Sequence, residues 1–132
     1  LGERTFSFRL TDPDGKTETI SGVKQGEVGT FNEIVFEDLT KTGTYEYTIE
    51  EVNDGQPGVT YDAHKENVTI VVTDVGTGKL SVTYNGKSSF TTPVWTNTYA
   101  ANGTATLSAK KAGENLGERT FSFMLTDPDG KT

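Results

Sequence analysis

There is no cysteine in this chain of 132 residues. That excludes a disulfide framework and a thiolate metal site. Apolar residues are also scarce, at 32%. No apolar stretch approaches the roughly 20 residues of a membrane span, and no signal-peptide pattern is present. The segment reads as soluble, with its parent free to be secreted or anchored by other parts. Basic residues are outnumbered, 12 against 19 acidic ones, for a net charge of −7. This argues against nucleic acid and against a membrane surface as partners. Histidine occurs once, at His64, with no Ser or Cys nucleophile pattern nearby, so a surface histidine is the default. The DPDG of 12–15 lacks the other ligands of a calcium loop and reads as a turn. No Gly-rich phosphate loop opens a helix. No metal and no cofactor are expected.

What the chain does have is period-2 alternation. Phe6, Phe8 and Leu10 alternate with polar neighbours before the DPDGK turn. Ile34 and Phe36 predict a short strand ending near Leu39. Further strands are expected at 44–52, 68–72, 80–84, 90–99, 107–111 and 119–125. Asn85-Gly86 is a strong hairpin signal. No window supports an amphipathic helix. The expected fold is all-β, an Ig-like β-sandwich.

The chain also carries one segment twice. LGERTFSFRLTDPDGKT (1–17) returns as LGERTFSFMLTDPDGKT (116–132), differing only at Arg9 against Met124. The second copy starts at Leu116 where the first starts at Leu1, a period of 115 residues. That is one sandwich domain, so the expectation is a tandem repeat cut out of phase. Residues 1–99 would be a sandwich lacking its own first strand. Residues 100–105, AANGTA, would be the joint, and 106–132 the first strands of the next repeat.

Three polar residues stand at apolar parity. In GTYEYTIEEV (43–52), Glu51 follows Tyr45, Tyr47 and Ile49, while Glu50 takes the other face. In TPVWTNTY (92–99), Asn97 shares a face with Trp95 and Tyr99. In ATLSAKK (105–111), Lys111 shares a face with Leu107 and Ala109. Each has an ordinary explanation taken alone. A terminal Glu bends to water, a core Asn bonds backbone, and a Lys past a strand end snorkels outward. Together they have a chemical meaning. A desolvated Lys amine is a nucleophile, and it can attack an Asn amide and expel ammonia. A nearby protonated Glu can shuttle the protons.

TLSAKK, FSFRLTDPDGK, GTYEYTIEEV, GVTYD, VTIVVTD and FTTPVWTNTY closely resemble the Gram-positive pilin isopeptide-linkage domain, a Cna-B-like sandwich of surface pilins and adhesins. The resemblance covers essentially the whole chain. It implies a Lys of the first strand bonded to an Asn of the last, with a Glu of a central strand assisting. The matching positions are Lys111, Asn97 and Glu51. The order departs from the family, because Lys111 follows the other two and residues 1–10 hold no lysine.

The resemblance therefore implies a structural repeat of an extracellular, cell-wall-anchored pilin or adhesin. The crosslink would be a single self-catalysed event, not enzyme turnover. Two arrangements are open. Residues 104–111 could fold back, which requires residues 98–106 to return about 15–20 Å at about 3.3 Å each. Or they could enter a neighbouring molecule head to tail, the arrangement favoured here. Neighbouring copies are then the partners. The alternatives are a non-covalent module binding a host protein or glycan through loops 53–60 or 74–79, and a passive stalk spacer.

Overall fold

The alternation of TFSFRLT becomes strand β1, Thr5–Thr11, in a computed structural model that describes residues 1–132. The turn after it is set by one side chain. Asp12 Oδ1 accepts from the backbone N–H of Asp14 at 2.9 Å and of Lys16 at 2.8 Å. The chain reverses into β2, Thr17–Lys24, antiparallel to β1, with a bulge between Phe6 and Phe8. A short 3-10 turn at Leu39–Lys41, capped by Asp38, precedes β3, Gly43–Glu51. Then follow β4 (Val59–Thr60), β5 (Lys65–Asp74), β6 (Leu80–Tyr84) and β7 (Thr98–Tyr99). The fold is all-β.

The residues divide into two compact units, Leu1–Ala101 and Asn102–Thr132. In the first unit, five strands form an antiparallel sheet in the order β2-β1-β3-β5-β6, and β4 pairs with β7. The expected alternation holds through the sheet. Tyr47 and Ile49 of β3 and Val68, Ile70 and Val72 of β5 are buried on one face. Each such side chain contributes roughly 1.5–3 kcal/mol when fully buried. Phe31, Phe36 and Trp95 cover this cluster from segments that lie outside the sheet.

Those covering segments differ from the sequence expectation. Residues 33–38 form no strand, and of 90–99 only Thr98–Tyr99 is in a ladder. A period-2 pattern aims side chains, but a strand also needs a neighbouring backbone to bond. These segments attach through aromatic side chains instead. Between them and the sheet runs a groove of about 800 Å³, lined by Phe8, Tyr47, Glu51, Phe90, Trp95 and Asn97 among others.

The second unit contains no strand, although strands are expected at 107–111 and 119–125. Its Asp127 turn repeats the Asp12 turn, with Oδ1 accepting from Asp129 N at 3.0 Å and Lys131 N at 2.8 Å. Leu107, Phe123 and Leu125 are exposed. Nothing within 102–132 supplies the backbone that β2 and β3 offer to β1.

Candidate functional site: a glutamate and an asparagine under an aromatic cover

Two adjacent glutamates end β3, and the pleat sends them to opposite faces. Glu50 stands opposite Arg9 of β1 and Lys65 of β5, and it pairs with both at 3.6 Å. Glu51 stands opposite Phe8, on the apolar face that also carries Tyr47 and Ile49. Sequence parity therefore separates an ion-paired carboxylate from one on the apolar face. Burial pushes the Glu51 carboxyl above its usual value. A hydrogen bond from Asn97 opposes the shift, and the charges of Asp62 and Asp54 add to it.

Asn97 is placed by the small β4–β7 ladder, in which Val59 pairs with Tyr99 and Thr60 with Thr98. The ladder depends on a glycine at its start. Gly58 has φ +80°, and a Cβ there would meet the Ala100 carbonyl oxygen at 2.7 Å. The Ala100 N–H donates to Gly58 O at 2.9 Å and closes the approach. One residue before β7, Asn97 donates from Nδ2 to Glu51 Oε2 at 2.8 Å. Its Oδ1 accepts from the backbone N–H of Asp62, also at 2.8 Å.

The other Glu51 oxygen, Oε1, is buried and has no hydrogen-bond partner. Such an atom is costly unless a further group completes it. Trp95 shields the site, packing edge-on against Phe8 at 5.3 Å between ring centroids.

Asp62 and His64 extend the arrangement; Asp62 ends the GVTYD motif, but nothing in the sequence assigns it a role. Asp62 Oδ2 accepts from Thr96 N at 2.9 Å, and Oδ1 lies 2.6 Å from His64 Nδ1. His64 Nε2 lies 3.1 Å from Glu66 Oε1. Its ring stacks on Trp95 at 4.7 Å. Chiefly through the Asp62 hydrogen bond, the imidazole is raised above its usual 6.5. The same bond is the main reason the Asp62 carboxyl is lowered to about 2. His64 is thus an organised part of this surface.

Of the three residues singled out by parity, the structure brings Glu51 and Asn97 into contact. Lys111 belongs to the second unit, where its Nζ donates to Ala112 O at 2.6 Å and lies 4.9 Å over the Phe121 ring. No group of three or more His, Asp or Glu side chains is arranged to hold a metal ion. The Glu51–Asn97 pair can do one kind of work. It holds an amide in a partly desolvated site with a carboxyl against its nitrogen.

No curated protein and no solved structure matches the chain. A family model, FctA, described as a Spy0128-like isopeptide-containing domain, matches residues 1–100. This span contains Glu51, Asn97, Asp62 and the whole β-sheet. The chain belongs to this family, and it is a Gram-positive pilin domain of the isopeptide class.

Proposed function

We propose that this pilin domain forms one Lys–Asn isopeptide bond, with Lys111 as nucleophile, Asn97 as electrophile and Glu51 as proton shuttle. The Glu51–Asn97 pair carries this reading, together with the unpartnered Glu51 Oε1 beside it. The groove next to the pair is lined on one side by the sheet's apolar face. A strand bearing Leu107, Ala109 and Lys111 on one side matches its chemistry. Its apolar residues would fill the groove, and its amine would complete Oε1.

Burial favours the neutral amine and the protonated carboxyl over the ion pair. The amine lone pair forms a bond to Asn97 Cγ. Glu51 gives its proton to Nδ2, which leaves as ammonia, and takes one from the attacking nitrogen. The net change is amine plus primary amide to secondary amide plus ammonia. Glu51 ends as it began, and the event occurs once. The covalent tie resists force and proteolysis because unfolding no longer separates the joined strands. This supplies a toughness that a chain without cysteine cannot draw from disulfides.

The second copy of LGERTFSF is preceded by TLSAKKAGEN. That adjacency supports placing a TLSAKK strand beside a sheet that begins with LGERTFSF. We take the donor to be a neighbouring copy, head to tail, in a pilus or surface adhesin anchored to the cell wall. Intact mass and a denaturing gel test both parts. Covalent multimers lacking one ammonia per junction are expected, and they should vanish in Asn97→Ala and Lys111→Ala. A monomer that has lost ammonia would replace the head-to-tail arrangement by self-closure. A chain of unaltered mass in every species would refute the bond.

A further inference from the structure

A primary amide can present either end to a neighbour. Asn97 is not free to choose. The Asp62 backbone N–H can only donate, so it requires Oδ1 on its side, 2.8 Å away. Turning the amide over would set Nδ2 against that N–H, two donors face to face. The selected orientation is the one that points Nδ2, the leaving nitrogen, at Glu51.

The side chain of the same residue holds the neighbouring backbone. Asp62 Oδ2 accepts from the N–H of Thr96, the residue before Asn97, at 2.9 Å. Its Oδ1 accepts from the His64 backbone N–H at 3.2 Å and faces the imidazole at 2.6 Å. His64 returns the connection, accepting at its carbonyl from Trp95 Nε1 at 2.8 Å. Asp62, His64, Trp95 and Thr96 thus form a closed circuit around the segment that carries Asn97. Register alone would not do this, since β4 ends at Thr60 and β7 begins at Thr98.

We propose that Asp62 is part of the bond-forming apparatus, in two roles. Its N–H stabilises the oxygen on which negative charge develops, and its carboxylate, braced by His64, positions Thr96 and Asn97. This rests on the isopeptide reading above. When the amine adds to Cγ, the carbonyl π pair moves onto Oδ1, the atom facing the Asp62 N–H. When that pair returns, the Cγ–Nδ2 bond breaks. The nitrogen leaves as ammonia with the proton from Glu51, which regains one from the attacking nitrogen. A preorganised donor of this kind is worth on the order of 10²–10³ in rate. Misplacing the amide through a lost clamp acts on the same barrier.

The test uses the full chain, followed by intact mass from the end of a cell-free translation pulse. Asp62→Ala keeps the N–H and removes the carboxylate. Asp62→Asn keeps an oxygen for the Thr96 N–H. Loss of ammonia is expected to slow roughly tenfold or more in the Ala variant and to recover to within about threefold of wild type in the Asn variant. Equal rates for Ala and wild type would overturn the role, as would an Asn variant no faster than Ala. Thermal melts in a Lys111→Ala background show whether the Ala chain folds. If it does not, His64→Gln decides, because it removes the brace and leaves Asp62. Slowing supports the clamp and an unchanged rate overturns it. A wild-type chain that never loses ammonia would instead refute the isopeptide reading itself.

Discussion

Asn97 Nδ2 donates to Glu51 Oε2 at 2.8 Å across 46 positions of sequence. The contact joins the end of β3 to the residue before β7, and the two strands belong to different sheets. It leaves Glu51 half-committed, with Oε2 satisfied and Oε1 buried without a partner. A buried carboxyl in that state is best accommodated neutral, which is the form a proton shuttle needs.

Replacing Glu51 should separate chemistry from folding. Glu51→Ala and Glu51→Gln are expected to abolish ammonia loss in intact mass while the strand signature in circular dichroism persists. The Gln side chain can still accept from Asn97 Nδ2, so its fold should be the closer to wild type.

The same group sets a pH dependence. The folded-state value of Glu51 lies above the usual 4.5. Folding therefore favours the protonated form. This contribution is fully present below about 4.5 and is lost as pH rises through the raised value. In a Lys111→Ala background, Glu51→Gln should gain in melting temperature relative to its parent as pH goes from 4 to 7. A Gln variant that falls relative to its parent over that range would contradict the assignment.

Asn97→Ala removes the partner of both Glu51 Oε2 and the Asp62 N–H. Two polar groups are then left unpaired in a part-buried site. Denaturant unfolding, compared in the Lys111→Ala background, should show a loss of about 1–3 kcal/mol.

Gly58→Ala should damage the site from a distance. Its φ of +80° is strained for any side chain, and the new Cβ would be 2.7 Å from the Ala100 oxygen. A cost of about 1–3 kcal/mol is expected. Because the β4–β7 ladder places Asn97, ammonia loss should slow as well. Gly15→Ala, also strained at φ +85° but far from this ladder in sequence, makes the control: it should lower stability without slowing the bond in the folded chain.

Trp95→Ala should be costly for another reason. The indole packs against Phe8 and His64, and its N–H is satisfied by His64 O. The ring is only partly buried, so a loss of up to about 3 kcal/mol in chemical unfolding is the expected bound.

Much of the sheet was legible from alternation, because burial on one face of a pleated strand is a period-2 signal. Glu51 could be aimed at the apolar face for the same reason. The Asp62 clamp could not be read, since it depends on backbone and side chain of one residue meeting two neighbours 34 and 35 positions away. The groove was equally hidden. Residues 90–97 alternate as a strand does, yet no ladder forms there.

The repeated segment divides local from tertiary causes within one molecule. Asp12 and Asp127 build the same turn, with the N–H of Lys16 and Lys131 each 2.8 Å from the aspartate Oδ1. Leu1–Arg4 and Leu116–Arg119 likewise close similar turns, at 3.3 and 3.2 Å. Those shapes need only neighbouring residues, so identical sequence repeats them. TFSF does not repeat its state. Phe6 is 5% exposed in β1, while its counterpart Phe121 is 46% exposed and outside any strand. The difference is partners: β1 lies between β2 and β3, which satisfy its backbone, and Tyr61 packs edge-on against Phe6 at 6.1 Å. A turn carries its hydrogen bonds within itself, but a strand becomes a strand only when another segment arrives to complete it.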